Sequence, residues 1–332
     1  MTWRDGVHLT GTSIWCDARR RRDVCFVSSA DKVGKTGHGQ LIASPLTLAL
    51  LGGNDGNLGV PLRQRFTLGT LRLELIASGR GPGAAALFVQ SVEGSGKKLL
   101  YAGPVRPGPC GRAQVAVADV RACDTLVVEA PFGASKKKFP ALDDVIEKVL
   151  GWTRKQLAAA RRPILLVDSA LDGLEVACVL AAEGIDLAAA KPIREAATRM
   201  ASLDQTAMRK RTTNGMSGRS AMAAPVISAP TKELRTTIWL AAHRDAPKVI
   251  TDQAHGTALL AGRPIDPSSA TEVHFAWSHA ADRTGLLEWI EETRATQVFV
   301  TGASAEAIVK ALGERGKFLG PPQQMSLFAE VA

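Results

Sequence analysis

At 332 residues the chain is too long for one small core, and long enough for two compact units or one large domain with an inserted cap. An apolar share of 45% with 22% charged residues is that of a folded globular protein and excludes a disordered or fibrous chain. The net charge of +9, with a pI near 9.5, points toward a polyanionic partner without specifying it.

No apolar run reaches the eighteen or so residues that a membrane span needs, and the first residues, MTWRDGVHLTGT, lack the pattern of a signal peptide. A cytoplasmic protein with no membrane partner is the expectation. Cys16, Cys25, Cys110, Cys123 and Cys178 form an odd, scattered set without a CxxC pair, so they read as buried thiols and not as a disulfide or zinc framework. Basic residues cluster at 19–22, at Lys136, Lys137 and Lys138, at 161–162 and at Arg209, Lys210 and Arg211, and these clusters are candidates for nucleic-acid contact.

In chain order, the first 130 residues predict strands at 23–29, 70–78, 85–92, 98–103 and 125–131, separated by Gly and Pro turns. The apolar stretch LIASPLTLALLG (41–52) fits a short strand leading through Ser44-Pro45 into a buried helix. From 141 to 160 the period changes to that of a helix, with Leu142, Val145, Ile146, Val149, Leu150, Thr153 and Leu157 on one face. PILLVD (163–168) then reads as a buried parallel strand, and 171–184 as a helix ending before Gly184 and leading to a short strand containing Ile185. The stretch 203–230 is rich in Ser, Thr, Gly, Ala and Arg and predicts a mobile basic loop in its middle. Strands at 237–242, 248–252, 256–262 and 272–278, a helix at 286–295, a strand at 297–302 and a helix at 304–316 complete an α/β pattern.

Several of these segments together resemble the metallo-β-lactamase-fold nucleases with a β-CASP cap. The nearest likeness is to the bacterial ligase-associated, mRNA 3′-end processing factor-like DNA exonucleases, and it spans roughly residues 5 to 316. The words that carry it are TGHGQLIASPLTLALL (36–51), LIASGRGPGAAALFV (75–89), LLYAGPV (99–105), LVVEAPFG (126–133), VITDQAHGTALLAG (249–262), FAWSHAADRTGLLEWI (275–290) and VFVTGAS (298–304). In the register set by Gly37, the first metal motif of the family falls on Ser28, Ala30, Lys32 and Val33. The later ligand positions hold Arg80, Pro104, Ala280 and Gly302, and His279 stands where an aspartate belongs. A guanidinium repels a cation and a proline offers no donor atom, so the resemblance implies a two-metal nuclease frame without its metal ligands: no catalytic residues, no metal and no cofactor.

The remaining polar residues each have a structural and a functional reading. His38 reads as structural or phosphate-contacting. His279 beside Asp282 reads either as a base with its orienting partner or as a satisfied polar pair, and with Glu129 these two would form the rebuilt site of a still-active nuclease. Asp168 is either functional at a strand end or a cap for the following helix. Lys32 and Arg80 could pair with Glu129 or Asp282 and stand electrostatically in place of ions, or form a phosphate seat. GSGKK (94–98) lacks the spacing of a P-loop and reads as a hairpin turn.

After Gly320-Pro321-Pro322 the tail reads Gln324-Met325-Ser326-Leu327-Phe328, which is similar to the pentapeptide that docks on the bacterial sliding clamp, the Leu-Phe pair serving as anchor. The fold expected is α/β: a metallo-β-lactamase-like αββα sandwich from 1–135 and 262–316, and a reduced β-CASP-like cap at 136–261 with a mobile basic loop near 205–225. A flexible tail at 317–332 completes the chain. The function expected is that of an inactive pseudo-nuclease that binds DNA and the sliding clamp in replication or repair. The alternatives are an active DNA or RNA exonuclease and a protein-only scaffold for a ligase, a helicase or a catalytic relative.

Overall fold

The computed structural model describes residues 1–34, 37–53, 56–92, 96–108, 115–214, 224–241, 254–262 and 271–321, with the side chains of 204–214 left aside. Among the described residues the chain forms three sheets and six α-helices, an α/β architecture. The first sheet runs in chain order: β1 (Thr2–Trp3), β2 (Val7–His8), β3 (Ile14–Cys16), β4 (Val24–Phe26), β5 (Gln40–Ala43) and β6 (Leu58–Gly59). Helix α1 (Pro45–Leu51) follows β5. The Ser44 hydroxyl accepts the Thr47 N–H at 3.1 Å, and Pro45 occupies the first turn, where no N–H is required.

The second sheet is built from β7 (Arg65–Leu68), β8 (Leu71–Ala77), β9 (Ala85–Ser91), β10 (Lys98–Pro104) and β11 (Thr125–Glu129), joined by β17 (Gln297–Thr301) and β18 (Gly316–Phe318). Its order is β18-β17-β11-β10-β9-β8-β7, antiparallel from β7 to β10 and parallel from β10 to β18. Alternation assigns the two faces of β11. Val127 joins Ile14, Phe26, Ile42, Leu75 and Tyr101 in a core shared with the first sheet. Leu126 and Val128 face α5 (Arg283–Glu292) and α6 (Ala305–Leu312), through Trp289, Ile290 and Ile308.

Between β11 and β17 lies a wholly parallel unit: α2 (Leu142–Ala158), β12 (Arg162–Val167), α3 (Ala170–Ala182), β13 (Leu187–Ala189), α4 (Lys191–Asn214), β14 (Thr236–Leu240), β15 (His255–Leu260) and β16 (Val273–Phe275). Its strand order is β13-β14-β12-β15-β16, so the chain leaves β12 toward one edge and later returns to its other side at β15. Helix α2 buries the expected face except at Leu157, where the neighbouring Gln156 is buried instead.

Four expectations are corrected here. Residues 205–214 continue α4 and do not start a loop, while 215–223 lie outside the described residues. Strand β16, expected on the sheet of the frame, pairs with β15, so the enclosed unit extends past the expected boundary at 262. Ile185 precedes β13 and is not part of it. Helix α3 is capped by Ser169, whose hydroxyl accepts the Asp172 N–H at 3.1 Å, and not by Asp168. Cys16, Cys25, Cys123 and Cys178 are buried and in no disulfide, and Cys110 lies outside the described residues. No described helix is long and apolar enough to cross a membrane.

Candidate functional site

Strand ends release side chains from the ladder, and in parallel sheets the crevice outside the carboxyl ends at a topological switch is where polar groups gather. The ends of β4, β8, β10 and β11 meet the amino end of α3, beside the switch between β12 and β15, and the segment following β16 closes the gap.

The gathered groups are arranged as ion pairs. The Lys32 ammonium donates to both carboxylate oxygens of Glu129 at 2.6 Å. Arg80, 2% exposed, donates to Asp31 at 2.6 Å and to Asp172 at 2.8 Å. Burial opposes the charge on this guanidinium, but Asp172 and Asp31 together more than offset it and raise its pKa. Burial likewise opposes the charge on Asp31 and Asp172, yet Arg80 keeps both carboxyls below their ordinary range. One helical turn along α3, Glu175 pairs with Arg106 and accepts the Trp277 indole N–H at 3.0 Å. Arg106 also donates to the Ser278 carbonyl at 3.1 Å. Asp172 and Glu175 therefore tie the enclosed unit to two loops of the frame with buried arginines.

Two titratable groups flank this cluster. His279 rests 5.3 Å from the Phe132 ring centroid, with Nδ1 3.9 Å from Asp172. Burial, reinforced by the Arg80 charge, lowers its pKa to about 4, so the ring is neutral at pH 7. Asp17 accepts the Ser28 N–H at 2.8 Å, the Ser28 hydroxyl at 2.6 Å and the Tyr101 hydroxyl at 2.8 Å. Burial nevertheless pushes its carboxyl up to about 6, against the pull of Lys32.

The structure brings some of the sequence-predicted positions together and separates others. Ser28, Lys32, Arg80, Pro104, Glu129 and Gly302 surround the cluster: Pro104 is in register with Glu129, and a Cβ on Gly302 would lie 3.0 Å from the Glu129 Cγ. Gly302 has φ +93°, and the same Cβ would meet the Ala130 carbonyl oxygen at 2.9 Å, so this backbone has no room for a histidine. Ala30 and Val33 turn into apolar clusters instead. Ala280 and Asp282 line a cavity of about 200 Å³ with Phe139, Pro140 and Ser278, which adjoins the cluster at Arg106.

Asp282 is not the partner of His279. It caps α5 through the Gly285 N–H at 2.8 Å and accepts the Phe139 N–H at 2.7 Å. Arg80 likewise takes Asp31 and Asp172 in place of Glu129 or Asp282. His38 accepts the Arg22 backbone N–H at 3.2 Å, away from the cluster, and burial lowers its pKa. Lys136, Lys137 and Lys138 are exposed. Arg209, Lys210 and Arg211 lie on α4 with side chains outside the described residues, as does the whole of Gln324, Met325, Ser326, Leu327 and Phe328.

The sequence reading missed Asp17, Asp31, Tyr101, Arg106, Asp172 and Glu175. One signal was available. Asp172 and Glu175 stand three apart in the otherwise apolar helix ALDGLEVACVLAA, and two acids on a buried face require buried cations. Among the described residues, no group of three His, Cys, Asp or Glu side chains is placed to hold a metal ion.

Neither a family model nor a curated protein matches the chain. Among solved structures it is similar to a protein of unknown function from Enterococcus faecalis V583, at 13% identity and a TM-score of 0.54, with 90% of this chain and 79% of that chain covered. At that identity the likeness shows a shared fold alone.

Proposed function

We propose that this chain is a non-catalytic relative of the metallo-β-lactamase-fold β-CASP nucleases, acting as a DNA-binding and sliding-clamp-binding accessory protein in replication or repair. The frame supports this reading. Sheets of six and seven strands share one core, helices cover the far face of the second, and a parallel α/β unit is inserted between β11 and β17 in the manner of a cap.

The observation that carries the reading is the pairing of Lys32 with Glu129 and of Arg80 with Asp31 and Asp172. Two tethered cations stand at positions where the resembled nucleases keep metal ligands and pair with all three of these carboxylates, so each acid already has a cationic partner within the fold. The rival reading, an active nuclease rebuilt on Glu129, His279 and Asp282, loses two members of its set, since Lys32 occupies Glu129 and the α5 cap occupies Asp282. A scaffold without DNA contact is separated by charge: the chain carries +9, and Lys136, Lys137 and Lys138 are exposed, which supports a polyanionic partner.

The deciding experiment is a titration of the full chain on a bacterial sliding clamp. Binding of roughly micromolar strength, lost when Leu327 and Phe328 are both changed to Ala, is the expected result. Equal binding by both forms, or none by either, would refute the clamp assignment.

A further inference from the structure

Away from the ionic cluster, the chain between β3 and β4 arches over the outer side of the first sheet carrying Arg19, Arg20, Arg21 and Arg22. A run of four like charges is ordinarily a solvated, mobile face. Here it is fixed. The Arg22 guanidinium lies 3.7 Å from the Trp15 ring centroid and donates to the Arg4 carbonyl at 2.7 Å. Trp15 stacks in turn on His8, its cross-strand partner, with centroids 4.6 Å apart. Arg20 is held by Asp5 at 2.8 Å, and the Arg19 N–H donates to the Asp5 carbonyl at 2.6 Å.

The two loops can approach this closely because residue 6 is Gly. At φ +149°, a Cβ there would stand 2.5 Å from the Ala18 Cα. The result is a surface of five arginines, counting Arg4, against the carboxylates of Asp5 and Asp23, with Arg22 anchored at its base. Arg4, Arg19, Arg20 and Arg21 are all exposed. A guanidinium already stacked on an indole and bonded to the backbone gives up little further freedom when it meets an anion, and its fork matches a phosphate.

We propose that this arginine face, built on Trp15 and His8, seats the sugar-phosphate backbone of DNA. The assignment rests on the DNA-binding reading above and places the contact outside the cleft, where ion pairs already occupy Arg80 and Arg106. The lysines at 136–138 provide a second, weaker contact, since each ammonium sits on an exposed loop and would have to be immobilised on binding.

The test is a fluorescence titration of the full chain on a labelled duplex over a range of salt concentrations. Wild type is compared with the triple variant Arg4→Gln, Arg19→Gln, Arg21→Gln, which leaves the pinning residues Arg20, Arg22 and Trp15 in place, and with Lys136→Gln, Lys137→Gln, Lys138→Gln. The arginine variant should keep the wild-type melting temperature, bind at least about tenfold more weakly near 0.1 M salt, and show a log K against log salt slope shallower by roughly two to three. The lysine variant should lose less. If wild type binds and the arginine variant binds equally well, or the lysine variant loses more, the surface is wrong while DNA binding stands. If wild type shows no salt-dependent binding, the DNA reading fails and this surface falls with it.

Discussion

Replacing Arg80 with Met is expected to lower the stability of the folded chain by about 3–5 kcal/mol, the cost of leaving buried charges without their partner. Both carboxylates at issue are enclosed: Asp172 has a side chain only 9% exposed and Asp31 one 24% exposed, and each has its acid form suppressed by the guanidinium between them. Methionine fills much of the same volume, so a cavity contributes little to the loss. The measurement is urea unfolding with the slope held common to variant and parent.

A second construction separates charge from packing. Arg80→Met combined with Asp31→Asn and Asp172→Asn should recover most of the loss, because removing a whole buried ion cluster is far less costly than removing one member. If the triple variant is as unstable as the single one, the arginine acts by shape and the electrostatic account of the site is wrong.

Apart from the gain that Asp31 and Asp172 add just above pH 4, the trends of His279 and Asp17 should largely cancel between about pH 4 and 6 in the parent chain, and two single variants should slope in opposite directions. His279 has a folded pKa of about 4 against an ordinary 6.5. Its contribution is complete above pH 6.5 and is lost as pH falls to about 4, because the unfolded chain takes up the proton first. Asp17 has a folded pKa of about 6 against 3.8. Its contribution is complete below pH 3.8 and is lost as pH rises to about 6, because there the folded carboxyl holds its proton longer.

The two trends oppose each other over one window. His279→Gln leaves the Asp17 trend, so stability should fall by about 2–3 kcal/mol as pH rises from 4 to 6, whereas Asp17→Asn leaves the His279 trend and should reverse the sign. Denaturant midpoints at four or five pH values suffice to read it. Flat profiles in both variants would show that neither group is perturbed by its surroundings.

Much of the secondary structure was legible because its signals are local. β8 to β11 carry runs of five to seven apolar or alternating residues between turn formers, and α2 keeps a helical period over 17 residues. β1 and β2 are two residues each, too short for any period to register, and β18 follows a helix after a single 3-10 turn. α4 escaped because its later half is polar, although Ile193, Ala197 and Met200 place a buried stripe on its first turns. The ionic cluster was hidden for a different reason. Arg80 meets Asp31 across 49 positions and Asp172 across 92, and no local pattern records a pairing of that kind. Motif register identified Lys32 and Arg80 as residues unable to bind metal but was silent on the acids that surround them.

The parallel pairing of β11 with β17 sets the order in which the chain can fold. Thr125 sits opposite Gln297, so β17 and β18 join the seven-stranded sheet only after a loop of 172 residues has been closed. Closure entropy grows only logarithmically with length, but the waiting time for such a non-local contact is long. The enclosed parallel unit has nearly all its strand pairings inside that loop, and its two ends are joined by the Phe139 N–H to Asp282 bond. Once folded, it delivers β17 to β11 as a preassembled neighbour. Amides of β12 and β14 should therefore gain protection from hydrogen exchange before those of β17 during refolding. Simultaneous protection of all three strands would mean that the frame and its insert condense together.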